Sequence, residues 1–244
     1  MHSHLRPGLL ILHGNRLELL GQAVFSWLAQ NPLRPLEEES FIVQSNGMAE
    51  WLKMEIASAQ GICAATRVEL PARFVWRAYR AVLGRSVVPM SSALDKLPMT
   101  WRLMGLLPNL IAQPGFEPVA GFLGTGDPSR RLQLAQRLAD LYDQYQVYRS
   151  DWLQDWARGQ DLVRAEAGED SRCAASVPAE QQWQPDLWRA TLAGLTEGEQ
   201  MATRPLLHQR FLESLKSAGE WPQLPRRIVL FGTTHIPHQT LEAI

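Results

Sequence analysis

The sequence predicts an α/β fold in which a helical section interrupts a parallel sheet, and three observations support this prediction. An apolar strand-like run over residues 41–43 gives way to helical apolar spacing from Met48 onward, and a strand followed by a helix is the α/β signature. A first strand over residues 9–12 is followed in the same way by a helix over residues 17–29. After a long helical section, the apolar run 228–231 predicts that a buried strand returns to the sheet.

Composition limits the class of protein. The chain has 244 residues, of which 45% are hydrophobic, enough for one sizeable core or two modest ones. No run approaches the roughly 20 apolar residues of a membrane span. Cys63 and Cys173 form no CxxC pair and follow no secretory leader, so we expect a reducing, cytoplasmic location. The net charge of -1 argues against coating nucleic acid through overall basicity, and any nucleic-acid site must be local.

The first predicted strand-to-helix turn is where a P-loop enzyme carries GxxxxGK[ST], whose amides and lysine hold phosphates. Here the turn reads His13, Gly14, Asn15 and Arg16, with one glycine and no lysine. The sequence therefore predicts that this chain does not hydrolyse ATP.

The second strand-to-helix turn carries neutral amides. Gln44 and Asn46 follow the strand, and we expect Asn46 to cap the helix and to place amides at the carboxyl end of the sheet. Amides near a tryptophan, without an activated nucleophile, suit recognition of bases better than bond cleavage. Trp51 falls on the apolar stripe of the helix and is predicted to lie in the core. Glu50 lies off that stripe, where it could read a base or simply favour the helix dipole.

An arginine-rich stretch follows, with a net charge of +4 over residues 67–85. If Pro71 opens a helix, Arg73, Arg77 and Arg80 share one face, with Trp76 beside it. Such a face can hold a phosphate backbone and stack a base. A solvated arginine face would show the same pattern.

The helical section is read from apolar spacing alone. Helices are predicted over residues 97–111, 129–147, 184–195 and 205–217. A Gly/Pro-rich connection over 113–128 is expected to separate a sheet-forming part from a helical part, and 157–182 is expected to be a long loop. In the helix over 129–147 the inward residues are predicted to be Leu134, Leu138, Leu141 and Tyr145. The opposite face, with Arg137, Asp140, Asp143 and Gln144, is either a solvated stripe or a wall facing a ligand.

Catalytic and metal-binding patterns are missing from the sequence. His235 and His238 are three residues apart, but we expect no carboxylate or cysteine near them to complete a metal site. A magnesium nuclease needs clustered carboxylates beside a lysine on a sheet, whereas Asp140 and Asp143 lie on a predicted helix with no lysine close by. The sequence thus predicts no catalysis and no cofactor in this chain.

Several aromatic-rich blocks carry a resemblance. VQSNGMAEWLKM, LPARFVW, DLYDQYQVYRSDWL, WQPDLW and HQRFLESL, in this order, resemble the N-terminal region of the RecC family, the gamma subunits of exodeoxyribonuclease V. The resemblance implies a degenerate superfamily 1 helicase-like sheet, P-loop NTPase-like but without Walker A, interrupted by an α-helical subdomain. The implied parts are residues 1–95, 96–221 and 222–244. The chain would be about the first fifth of a longer subunit, ending inside a helix that begins near Pro237.

The resemblance also implies a function. The chain would belong to a non-catalytic DNA-binding subunit of a RecBCD-type helicase-nuclease, which guides unwound single-stranded DNA and scans it for Chi during double-strand-break repair by homologous recombination. RecB-like and RecD-like partner subunits would carry ATP and Mg. The alternative is an assembly scaffold that docks those subunits without reading bases. A third hypothesis, intrinsic ATPase or nuclease activity in this chain, is disfavoured by the missing motifs.

Matching the family's Chi-sensing motifs to this chain implies a set of DNA-reading positions. They are Gln44, Asn46, Glu50, Leu70, Trp76, Asp140, Leu141, Asp143, Gln144, Arg149 and Arg204. Asn46 stands where the family usually has threonine, and Glu50 where it has glutamine. Because a glutamate accepts from cytosine amino groups but cannot donate, these two departures imply either a different recognised sequence or none.

Overall fold

The structure is a computed structural model that describes residues 8–124, 126–164, 174–217, 219 and 221–244. Its contacts divide these residues into two compact units. The sheet unit comprises residues 8–81, 221–236 and 244, and the helical unit comprises the described residues of 82–219 together with 237–243. None of the described helices is both long enough and apolar enough to cross a membrane.

The sheet unit is built on a small parallel sheet. Its elements are α1 (Leu17–Gln30), β1 (Glu39–Ile42), α2 (Asn46–Gln60), β2 (Thr66–Glu69), α3 (Pro71–Leu83) and, from the far end of the chain, β5 (Ile228–Leu230). The strand order is β2-β1-β5, and β1 pairs in parallel with both neighbours. Phe41, Ile42 and Val43 are fully buried at its centre. The predicted α/β class is thus confirmed at the level of a mixed fold with a small parallel sheet.

The helix α2 begins one residue earlier than predicted. Ser45 has an extended backbone, and its Oγ accepts a hydrogen bond from the Met48 amide at 3.1 Å, which makes Ser45 the cap. The expectation that Asn46 caps this helix was wrong, because Asn46 is its first helical residue. At the other end, Gly61 adopts a φ of +80° that other residues rarely tolerate, and the helix ends there. Trp51 is only half-buried, with its ring stacked on Phe231.

The first predicted strand is not a strand. Residues 9–12 have no regular structure and are exposed, Leu9 by 85% and Leu12 by 43%. A run of four apolar residues has the composition of a buried strand, but only backbone pairing makes one, and among the described residues the sheet pairs β2, β1 and β5 alone. The returning strand predicted over 228–231 is confirmed as β5, whose three side chains are half-buried, while Phe231 directly after it is buried.

The helical unit is an array of packed helices. It contains α4 (Lys96–Leu110), α5 (Glu117–Leu123), α6 (Pro128–Tyr148), α7 (Ser150–Ala157), β3 (Leu162–Arg164), β4 (Ala174–Ser176), α8 (Trp183–Ala193), α9 (Glu197–Met201), α10 (Arg204–Lys216) and α11 (His238–Glu242). Within it α4 packs against α6, and α7 against α8. Tyr142 stacks on Trp188 with ring centroids 5.5 Å apart, and its hydroxyl donates to the Gln184 carbonyl. Burial raises the pKa of that hydroxyl well above its ordinary value, so Tyr142 remains a neutral donor.

The buried face of α6 is rotated from the predicted one. Leu138 is buried as expected, but Leu134, Leu141 and Tyr145 are half-buried. The remaining buried positions are Ala135, Ala139, Tyr142 and Gln146. Two of these are alanines, whose small side chains fit where another element packs closely, and a search for large apolar residues overlooks them.

Two further expectations were wrong, and one helix was missed. The connection over 113–128 contains α5, anchored by buried Phe116, Val119 and Leu123, and it joins two helices of one unit rather than separating a sheet part from a helical part. The loop predicted over 157–182 contains the antiparallel pair β3 and β4 and a short 3₁₀ turn, Ala179–Gln181; its residues 165–173 lie outside the described residues. The helix α9 was not predicted, although Thr196 and Glu199 form a capping box at its start.

A matched pair of substitutions on α4 tests the helical core. Leu103 is fully buried and Leu97 is 68% exposed on the same helix. We expect Leu103→Ala to lower the free energy of unfolding by about 3 kcal/mol, because it leaves a cavity in the core. Leu97→Ala should change it by less than about 0.5 kcal/mol. Urea denaturation measures both, and equal effects would contradict the assigned packing.

Candidate nucleic-acid interface

The amide of Gln44 bridges two neighbouring turns. Gln44 follows β1 and is exposed. Its Nε2 donates to the Thr234 hydroxyl and to the His235 carbonyl, both at 3.1 Å. Thr234 and His235 follow β5, which lies beside β1 in the sheet. Gln44 is therefore held at the carboxyl edge of the sheet, where open α/β folds bind ligands.

Two other sheet-unit candidates lie near the same edge, and a third lies one helical turn away. Asn46 is exposed in the first turn of α2, and Leu70 directly follows β2 and packs on the core of the unit. Glu50 is one turn further along α2, where its carboxylate accepts from Lys53 Nζ at 2.8 Å. Because β1 and β2 are parallel neighbours, their carboxyl ends bring Gln44, Asn46 and Leu70 to one side of the sheet.

The predicted arginine face of α3 is only partly formed. Arg73 is exposed, but Arg77 turns back to Glu69, with Nη2 2.5 Å from Oε1. The Glu69 side chain is only 4% exposed, so this ion pair belongs to the fold. Arg80 is half-buried, and Trp76 is half-buried with its ring 6.2 Å from that of Tyr79. The sequence spacing did not predict that Glu69 is the partner of Arg77.

In the helical unit, the start of α4 collects the candidate acids. Arg204 Nη2 donates to Asp95 at 3.1 Å, and its Nη1 forms an ion pair with Asp143 at 3.1 Å. Lys96 Nζ lies 2.8 Å from the Asp140 carboxylate. The structure thus brings together Asp140, Asp143 and Arg204, which are far apart in sequence.

Asp95 and Lys96 organise this cluster, and the sequence interpretation missed both. The statement that no lysine lies close to Asp140 was wrong. No sequence signal links Lys96 to an acid 44 residues later, since only packing of α4 on α6 brings them together. The hydrogen bond from Lys96, followed by its charge, lowers the pKa of Asp140 below its ordinary value. The same bond raises the pKa of Lys96.

The end of α6 holds Arg149 in an aromatic and acidic setting. Its guanidinium lies 4.1 Å from the Trp152 ring centroid and 3.0 Å from the Asp151 carboxylate. It also donates to the Arg164 carbonyl at 2.5 Å. Most of its donors therefore serve the protein, whereas Gln144 on α6 is exposed and Leu141 is half-exposed.

Two histidines of the helical unit, His208 and His238, share one carboxylate neighbour. Glu242 lies 3.3 Å from His238 Nδ1 and 3.0 Å from His208 Nε2. The expectation that no carboxylate stands near His238 was wrong, because one helical turn of α11 brings Glu242 to it. Within the described parts of the chain, no group of three or more His, Cys, Asp or Glu residues is placed to hold a metal ion.

The chain is therefore a mixed α/β protein. It carries amides at one edge of its sheet, and its helical unit carries carboxylates that form ion pairs with Lys96 and Arg204. Residues 9–244 match the family model described as RecC, N-terminal domain, and the chain belongs to this family. It is 37% identical over 239 residues to the RecBCD enzyme subunit RecC of Escherichia coli K12, covering 96% of this chain and 20% of that protein. It is 31% identical to the corresponding subunit of Haemophilus influenzae, covering 93% and 21%. The chain spans about a fifth of the length of these curated relatives.

Removing Lys96 tests the origin of the Asp140 shift. We expect Lys96→Met to raise the pKa of Asp140 toward its ordinary value and Lys96→Arg to keep it low, as measured by carboxyl-carbon NMR titration. Because the folded-state pKa is lowered, the pair stabilises the fold above about pH 4 and this contribution is lost as pH falls through the folded value. An unchanged titration in Lys96→Met would show that Lys96 is not the cause.

A second pair of variants separates structural from exposed arginines on α3. Arg77→Met leaves the buried Glu69 carboxylate without its partner, and we expect a loss of about 3 kcal/mol in the free energy of unfolding at neutral pH. Arg73→Met on the same helix should cost less than about 0.5 kcal/mol. Urea denaturation of both variants is the measurement, and a stable Arg77→Met protein would contradict the structural role.

Proposed function

We propose that this chain is the N-terminal part of a non-catalytic RecC subunit in a RecBCD-type exodeoxyribonuclease V, acting in double-strand-break repair by homologous recombination. Its role there is to guide unwound single-stranded DNA and to scan that strand for Chi. The match of residues 9–244 to the RecC N-terminal domain carries this proposal. The relatives named as RecBCD enzyme subunits support it.

The proposal includes a degenerate superfamily 1 helicase-like core. The parallel order β2-β1-β5 supports a P-loop NTPase-like sheet. The segment before α1 contains Gly14 but no lysine, and this departure from the P-loop pattern supports loss of the ATP site. ATP and Mg are then held by RecB-like and RecD-like partner subunits, and the complex works in the cytoplasm.

In the sheet unit, the exposed amides of Gln44 and Asn46 supply donors and acceptors for base edges. Glu50 would accept from a cytosine amino group. Its ion pair with Lys53 is exposed and worth at most about 1 kcal/mol, so a base can replace the lysine. Trp76 and Leu70 offer an aromatic ring and an apolar surface for stacking and packing.

In the helical unit, ion pairs hold the acids in place. Arg204 holds Asp143 in a partly buried ion pair, whereas the pair of Lys96 with Asp140 is largely exposed, so the Asp143 carboxylate presents its remaining oxygen lone pairs in the more defined direction. Leu141 and Gln144 lie beside them on α6. Arg204 and Arg149, whose guanidinium groups are occupied by protein partners, then act by positioning neighbours more than by direct contact with phosphates. Of the three arginines on α3, Arg73 is the exposed one. It is therefore a better phosphate ligand than Arg77, which is paired with Glu69.

The alternative is an assembly scaffold without base reading. Exposed apolar side chains favour it, notably Trp101, which is 61% exposed, and the run at residues 9–12. Such side chains are typical of surfaces that bind other proteins. The arginines would then make protein contacts.

Substitution of Gln44 or Trp76 in the full complex tests the proposed function. We expect Gln44→Ala and Trp76→Ala to abolish the response to the recognition sequence while unwinding continues, because each removes a base contact. The response is measured as the change in strand degradation at the recognition sequence.

Thr234→Val provides the control for Gln44, since it removes one hydrogen-bond partner of the amide and leaves the amide itself in place. If Thr234→Val loses the response as fully as Gln44→Ala, the amide acts by holding the turn after β5. A normal response in both Gln44→Ala and Trp76→Ala would remove these residues from the site. Loss of partner subunits on purification would favour the scaffold.

A further inference from the structure

A groove of about 800 Å³ lies in the helical unit between α4, α5 and α6. This volume is within the range of about 300–1,000 Å³ typical of ligand sites. Its lining residues are Lys96, Leu97, Thr100, Phe122, Gln133, Leu134, Gln136, Arg137 and Asp140. Among these, only Lys96 and Asp140 belong to the acid cluster described above.

The lining combines an aromatic ring, amides and cations. Phe122 is 50% exposed, although it stands on a helix whose other large apolar side chains are buried. Gln133 and Gln136 supply amide donors and acceptors along α6. Lys96 and Arg137 against Asp140 leave the groove with a net charge of +1. A ring, amides and a positive rim are what a nucleotide requires, since bases stack and phosphates are anionic.

Arg137 is the cation best placed to take a phosphate. Its guanidinium forms no ion pair with any carboxylate in the described parts of the chain, although its charge contributes to lowering the pKa of Asp140. Lys96 is paired with Asp140, but both side chains are largely exposed. Exposed pairs contribute little, so a phosphate can compete for the lysine.

The groove continues the candidate interface along α6. Gln133, Arg137, Asp140 and Gln144 are spaced at i, i+4, i+7 and i+11, which places them on one stripe of the helix. Asp140 lines the groove, and Gln144 lies one turn beyond it. A strand that contacts Asp140 and Gln144 therefore needs to extend along the helix by only one or two turns to enter the groove.

We propose that this groove binds the adjacent nucleotides of the same single DNA strand, with a base stacked on Phe122 and a phosphate held by Arg137. This inference rests on the proposed function, because it extends the same interface. It adds a sequence-independent grip beside the base-reading positions, since stacking and phosphate contact do not discriminate among bases.

The test uses the full subunit complex and an oligothymidylate probe that carries photoreactive iodouracil at successive positions. We expect ultraviolet crosslinks to Phe122 and about tenfold weaker probe binding in Phe122→Ala. Arg137→Gln should weaken binding and reduce the slope of log affinity against log salt by about 0.7, as one lost phosphate contact does. Arg130→Gln on α6, which is exposed and outside the groove lining, serves as the matched control for Arg137→Gln and should bind normally.

Normal affinity and salt slope in both groove variants would overturn the groove proposal. So would normal strand binding together with loss of a partner subunit, because the groove would then be a protein contact. Trp76→Ala, tested in parallel, distinguishes failure of the groove proposal from failure of the proposed function. If it reduces crosslinking or the response to the recognition sequence while the groove variants do not, only the groove proposal fails. If no variant changes either readout, the proposed function fails with it.

Discussion

The parallel pairing of β1 with both of its neighbours determines the geometry of the sheet unit. Phe41, Ile42 and Val43 are fully buried, and the strand bonds to β2 on one side and to β5 on the other. Parallel strands have their carboxyl ends on one edge, so the residues that follow them share that edge. Gln44 and Leu70 are neighbours for this reason, although 26 residues separate them in sequence. Their arrangement depends on strand register more than on any direct contact between them.

The helical unit organises its polar residues by charge pairing at the start of α4. Asp95 and Lys96 are adjacent in sequence and carry opposite charges. Asp95 pairs with Arg204, and Lys96 pairs with Asp140. Each pair is partly exposed and individually weak. Together they place two carboxylates, a guanidinium and an ammonium group in a small region that also borders the groove. The unit thus fixes the orientation of acids without burying them.

Apolar spacing predicted most of the helices and two of the three strands of the parallel sheet in advance, because their signals are local. Most of α6, for example, was expected from residues within the helix itself. The partners of Asp140 and Arg204 were not predictable, since they depend on which helices pack together. The run at residues 9–12 shows the opposite error, because its composition predicts a strand but it pairs with no strand of the described sheet. The domain boundaries and DNA-reading positions implied by the family resemblance stay predictions.

The bridge made by Gln44 affects how selective this edge can be. Its amide already satisfies a hydroxyl and a carbonyl in the turn after β5. Under the proposed function, an incoming base competes with these existing bonds for the Gln44 amide, and a base that offers fewer bonds than it displaces gains less from the exchange. In that proposal the turn after β5 and the base compete for the same Gln44 side chain. Discrimination at Gln44 would then come from the exchange of hydrogen bonds, and a poorly matched strand would not be held.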